Sequence, residues 1–216
     1  MKHAISILAV CVALAACKPA SDGDGAQPVV DNAPAEPTPA QATTDTPLPP
    51  AEAPVRGPAF DKTLELQGIG FHVQGGDGQV TVTPTGLEAS NEPMTRDIDG
   101  QVKDAELADL DADGSPEVYV FVTPASEGAP AGLVAFAANK RKSLSDIYLA
   151  PLADDQDAAD GYKGGDEIAV VENRLIRRFP LVGEDGQPTG KTRQVVYRLM
   201  PGEAGWVLEK ERISEF

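Results

Sequence analysis

From about Phe60 to Phe216 apolar and polar residues alternate in short runs, a period of two that predicts β-strands. Thr63-Leu64-Glu65-Leu66 and Ile69-Gly70-Phe71-His72-Val73 alternate, and the glycine cluster Gly75-Gly76-Asp77-Gly78 then turns the chain into Gln79-Val80-Thr81-Val82-Thr83, bounded by Pro84. Glu117-Val118-Tyr119-Val120-Phe121-Val122 is a run of strong β-formers between Pro116 and Pro124, followed by Leu133-Val134-Ala135-Phe136-Ala137. Further on, Glu167–Val171 and Arg174–Phe179 flank the two-residue turn Glu172-Asn173, and Gln194–Met200 and Gly205–Leu208 flank Pro201-Gly202-Glu203-Ala204; both read as hairpins. Only Leu152 to Asp160 has a helical look. Many short strands with frequent turns and no strand–helix alternation predict a mainly β fold. The expectation is one antiparallel domain over residues 60–216, sandwich or barrel-like, with one short helix.

The first 59 residues follow different rules. Lys2 precedes the apolar run Ala4–Leu14, which is too short for a permanent membrane helix and has the layout of an export signal. It ends in Leu14-Ala15-Ala16-Cys17, which resembles the lipobox of bacterial lipoproteins. Small side chains admit a peptidase, and the Cys17 thiol accepts the lipid. Residues 1–16 are therefore expected to leave as a signal peptide and Cys17 to anchor the chain in a membrane by its acyl chains. Resemblance to such lipoproteins implies the outer membrane, facing the periplasm, because Lys18 rather than Asp follows the cysteine. From Lys18 to Ala59 the chain is rich in Pro and Ala with almost no large apolar residue, the composition of a disordered tether. Its roughly 42 residues would span on the order of 35–40 Å as a flexible coil.

Charge narrows the partners. The chain sums to -16, and about -13 of that belongs to residues 60–216, so nucleic acid and anionic lipid surfaces are poor partners. A cationic partner, by contrast, would be steered in. Cysteine and histidine usage narrows the chemistry. Cys11 leaves with the signal and Cys17 is acylated, so the mature domain has no free thiol, and His72 is its one histidine. The usual serine, cysteine and zinc constellations cannot be assembled from that inventory, and no enzyme is expected. A carboxylate-only glycan hydrolase remains compatible with composition, although no carboxylate pair is singled out.

Two local motifs stand out. Asp109-Leu110-Asp111-Ala112-Asp113-Gly114-Ser115-Pro116-Glu117 alternates carboxylates before a glycine, as calcium loops require. Gly114 falls at the sixth position, where an EF-hand loop turns sharply, but Val120 replaces the bidentate glutamate at the twelfth. The motif looks closer to the short Asp-rich calcium turns of β-propeller blades. Asp109, Asp111, Asp113 and Glu117 are the candidate calcium ligands, against the simpler reading of an acidic turn whose side chains cap backbone amides. The second motif is the loop Thr123-Pro124-Ala125-Ser126-Glu127-Gly128-Ala129-Pro130-Ala131-Gly132, longer than a tight hairpin needs. Loops of that kind on a rigid β scaffold are frequent binding elements.

Several segments together resemble the bacterial periplasmic inhibitors of invertebrate-type lysozyme. They are Gly86-Leu87-Glu88, Thr95-Arg96-Asp97-Ile98-Asp99-Gly100, Ala108–Val120, Asn139–Ser145, Arg177-Arg178-Phe179-Pro180 and Pro201–Leu208, in order over nearly the whole domain. The resemblance implies a β-sandwich without enzymatic activity, a homodimer in at least some members, and inhibition by inserting a protruding loop into the lysozyme cleft. Such inhibitors use a loop with Ser-Gly followed shortly by Tyr. Ser126 and Gly128 stand for the first two here, with Glu127 between them, and Ala129-Pro130 occupy the place of the tyrosine. Two expectations follow: a lipid-anchored lysozyme inhibitor contacting its target through Ser126 and Gly128, or a calcium-dependent envelope binding module built on the Asp-rich turn.

Overall fold

A computed structural model describes residues 60–203 and 205–216. The expected signal peptide, Cys17 and the expected tether lie outside the described residues, as does Ala204 in the last hairpin turn.

The chain is mainly β, as its alternation predicts, and its strands form two sheets. The first sheet joins β1 (Phe60–Leu66), β2 (Ile69–Gly76), β3 (Gln79–Thr85) and β4 (Met94–Asp97) in sequence order, all antiparallel. The second has eight strands: β5 (Gly100–Ala108), β6 (Glu117–Pro124), β7 (Gly132–Asn139), β8 (Ser143–Leu149), β9 (Glu167–Val171), β10 (Arg174–Val182), β11 (Pro188–Pro201) and β12 (Trp206–Glu215). Their spatial order is β5-β6-β7-β8-β12-β11-β10-β9.

One pairing departs from the antiparallel expectation: β12 runs parallel to β8 over Trp206–Leu208. Each half of the sheet is a meander, and the chain crosses between them through residues 150–166, so the two halves meet in the same direction. That crossing holds the predicted helical segment. It is split into a 3-10 turn, Leu152–Asp154, and one α turn, α1 (Gln156–Ala159), because Asp155 breaks out of helical geometry to cap α1 by accepting from Ala158 N. Arg193 of β11 holds this segment against the sheet by donating to the carbonyls of Asp157 (2.9 Å) and Asp160 (2.7 Å).

The eight-stranded sheet curls until its edges approach. Glu106 of β5 accepts from Val170 N of β9 at 3.3 Å, and Asn173 donates to the Asp109 carbonyl at 3.3 Å. Side chains thus close a barrel-like layer that backbone pairing leaves open, which also blunts both edges. Period-two alternation then sorts β6 into two cores. Tyr119 and Phe121 point to one side with Leu175, Phe179, Val195, Tyr197 and Leu199. Val118 and Val120 point to the other, against Phe71, Val73, Val80 and Val82 of the four-stranded sheet. That double burial explains the continuous apolar run, since a strand with solvent on one face would alternate. Phe136 of β7 is fully buried in the second core, with Arg96 lying over its ring at 5.4 Å while bonded to Asp146.

Two expectations at the β2–β3 boundary shift. Gly75 and Gly76 belong to β2, and the turn is Asp77-Gly78, both at positive φ as a tight hairpin demands. Gly75 is required by packing, because a Cβ there would lie 2.5 Å from Val102 of β5, where the two sheets touch. Pro84 continues β3 rather than bounding it; β4 pairs only with Gln79–Val82, so the missing N–H falls where the ladder has already lost its outer neighbour.

Candidate functional site

The Asp-rich segment forms the connection from β5 to β6. Ala112 and Gly114 take left-handed conformations (φ 57° and 81°), which curl the chain so that the aspartates face inward. Asp109 organises the turn: its Oδ1 accepts from Asp113 N at 3.0 Å, and its Oδ2 from Gly114 N at 3.0 Å and from Gln67 of the β1–β2 turn at 2.9 Å. Arg141 of the β7–β8 turn clamps the same end, donating to the carbonyls of Gly114 (3.2 Å) and Gln67 (3.0 Å).

Of the four predicted ligands, Asp109, Asp111 and Glu117 converge, each offering a carboxylate oxygen within 4.8 Å of the others. Asp113 stands outside that group and spends its Oδ1 on Ser115 N at 2.7 Å. The donors are all hard oxygens, which suits calcium rather than a softer ion.

Glu117 is the unusual member. It opens β6 with its side chain on the same face as Tyr119, only 2% exposed. Its Oε2 accepts from Leu110 N (2.8 Å) and Tyr119 Oη (3.4 Å). Burial pushes its pKa up to about 8, the Leu110 amide opposes that, and the nearby Asp111, Asp109 and Asp113 charges add to it. Burial also raises the Asp111 carboxyl, with Asp113 contributing repulsion. A general acid must touch its substrate, and the Glu117 side chain is too buried to reach one directly.

The β6–β7 loop is the second site. Ser126, Glu127 and Gly128 are exposed at its tip. Its base is fixed by a network that sequence reasoning did not find. Asp166, just before β9, accepts from Ala131 N at 2.9 Å and from the Tyr162 hydroxyl at 2.8 Å through Oδ1. Its Oδ2 lies 3.0 Å from Arg177 Nε, with both side chains at least 95% buried, and Arg177 Nη2 donates to the Ala131 carbonyl at 3.0 Å. Arg177 alternates with the buried Leu175 and Phe179 on β10, so it points into the apolar core. An arginine on an apolar stripe was the available signal; its partner, eleven residues earlier in the segment before β9, was not deducible. A groove of about 540 Å³ runs between the tip residues and Lys163-Gly164-Gly165.

His72 bonds Asp61 across the β1–β2 ladder at 2.9 Å on an exposed face. That bond, with a second from Gln74, holds the Asp61 carboxyl below its ordinary range.

Compared with known proteins, the chain matches no family model, no curated protein and no solved structure.

Proposed function

We propose that this chain is a lipid-anchored, non-enzymatic inhibitor of invertebrate-type or related lysozymes, tethered through Cys17 to the periplasmic face of the outer membrane. The β6–β7 loop enters the cleft of the target and blocks access to its catalytic carboxylates. The observation that carries the reading is the loop's construction: an exposed Ser126–Gly128 tip on a base locked by the buried Asp166–Arg177 pair. A loop fixed before it meets its partner loses little conformational entropy on binding. The domain's net charge of about -13 favours encounter with cationic wall-degrading enzymes and disfavours nucleic acid. The test is lysis of a peptidoglycan suspension by a panel of lysozymes with and without the purified full-length chain. Slowed lysis at micromolar inhibitor, weakened by added salt, is expected, and no effect on any member would remove the reading.

A second reading has its own observation. The convergence of Asp109, Asp111 and Glu117 favours a calcium-dependent envelope binding module, with those three holding the ion and Asp113 shaping the turn. Calorimetry with calcium separates the two. A heat signal that disappears in the Asp111→Ala, Asp113→Ala double variant supports the metal site, and silence in the wild type removes it.

A further inference from the structure

We infer that the contact surface is built from two chain segments rather than one, and that Lys163 is the cation it offers to the paired carboxylates of a glycan-hydrolase cleft. The inference rests on the inhibitor reading above. One wall of the groove is the loop tip, Ser126-Glu127-Gly128; the other is Lys163-Gly164-Gly165, from the crossing between α1 and β9. The two are locked back to back. Gly164 is buried at φ 97°, and a Cβ there would lie 2.5 Å from Gly128 Cα and 2.9 Å from the Gly128 carbonyl oxygen. Both walls also share one anchor, since Asp166, two residues beyond Gly164, fixes Ala131 at the base of the loop. The segments therefore present themselves to a partner as a unit.

Charge decides what that unit can recognise. The Thr123–Gly132 loop contains one ionisable side chain, Glu127, so alone it would bring an acid to a cleft whose working groups are two carboxylates. Lys163 corrects that. It is exposed on the facing wall and has no ion pair among the described residues; of the two acids three residues away, Asp166 is buried against Arg177 and Asp160 faces Arg193 at 3.8 Å. A compact ammonium on a flexible four-carbon stem can settle between two carboxylate oxygens, where the Ser126 hydroxyl adds a neutral donor.

The test compares inhibition constants of the full-length wild type, Lys163→Gln and Lys103→Gln against the most sensitive lysozyme of the panel. Lys103 is exposed on β5 and does not line the groove, so its variant loses the same charge and reports the general effect of steering. Lys163→Gln should weaken inhibition by about tenfold or more and Lys103→Gln by no more than about twofold. Lys163→Arg should retain most of the effect, and Glu127→Gln should strengthen it. Equal losses in the two glutamine variants, or none in Lys163→Gln, would overturn the inference while leaving the inhibitor reading standing. A wild type that inhibits nothing removes that reading and this inference with it.

Discussion

Glu117 makes the stability of the domain depend on pH in a direction opposite to that of most carboxylates. The side chain sits in the core at the start of β6, and its carboxyl holds a proton up to about pH 8, against an ordinary value of 4.5. Between those two values the folded state binds a proton that the unfolded chain has released. The Glu117 contribution to stability is therefore largest below about pH 4.5, falls as pH rises, and levels off above about pH 8. Each pH unit in that window is worth about 1.4 kcal/mol, so the ceiling between pH 5 and pH 8 is about 4 kcal/mol. Glu117→Gln removes the titration while keeping the carbonyl oxygen that Leu110 N and Tyr119 Oη address. Denaturant midpoints of wild type and variant, taken in chelator at about pH 5 and about pH 8.5, isolate the effect from the charge of the rest of the surface. The variant should match the wild type within about 1 kcal/mol at the lower pH and exceed it by about 2–4 kcal/mol at the higher. A variant less stable at both pH values would show that Glu117 is ionised and held by a partner, and the reasoning would fail.

Four other substitutions report on particular positions. Asp166→Ala leaves Arg177 charged and unpaired in the core, which should cost about 3–5 kcal/mol in a denaturation curve and speed amide exchange in the β6–β7 loop. Gly164→Ala forces a methyl against the Gly128 backbone at a φ that L-residues avoid; a loss of about 1–3 kcal/mol is expected, with inhibition falling alongside it. An unchanged melting temperature would mean that the two groove walls are not in register as described. Phe136→Ala empties the centre of the core between the sheets and should destabilise by about 3–5 kcal/mol, whereas truncating the exposed Tyr148 should leave the melting curve within about 0.5 kcal/mol.

Much of this protein is legible in its residue pattern. Period-two alternation identified β1, β2 and β3, whose two faces differ in polarity, while β6, β7, β9, β10, β11 and the start of β12 were legible as short runs of β-formers set off by turns or prolines. The turn Glu172-Asn173 was legible too, since two residues between strand runs leave room for little but a hairpin, while the β2–β3 turn was legible only as the wider cluster Gly75–Gly78. The Asp-rich turn was visible because its residues are contiguous and their geometry is local. By contrast β4, β5 and β8 went unread. In Met94-Thr95-Arg96-Asp97 and Gly100–Ala108 charged residues interrupt the apolar pattern, and Ala105 is the one fully buried position of the two strands. Tertiary structure alone decided three things: the parallel junction of β8 with β12, the withdrawal of Glu117 into the core, and the pairing of Asp166 with Arg177 beneath the candidate loop. Each joins residues far apart in the chain or depends on what covers a side chain. A one-dimensional pattern carries polarity and period, but no information about which distant partner will satisfy a buried charge.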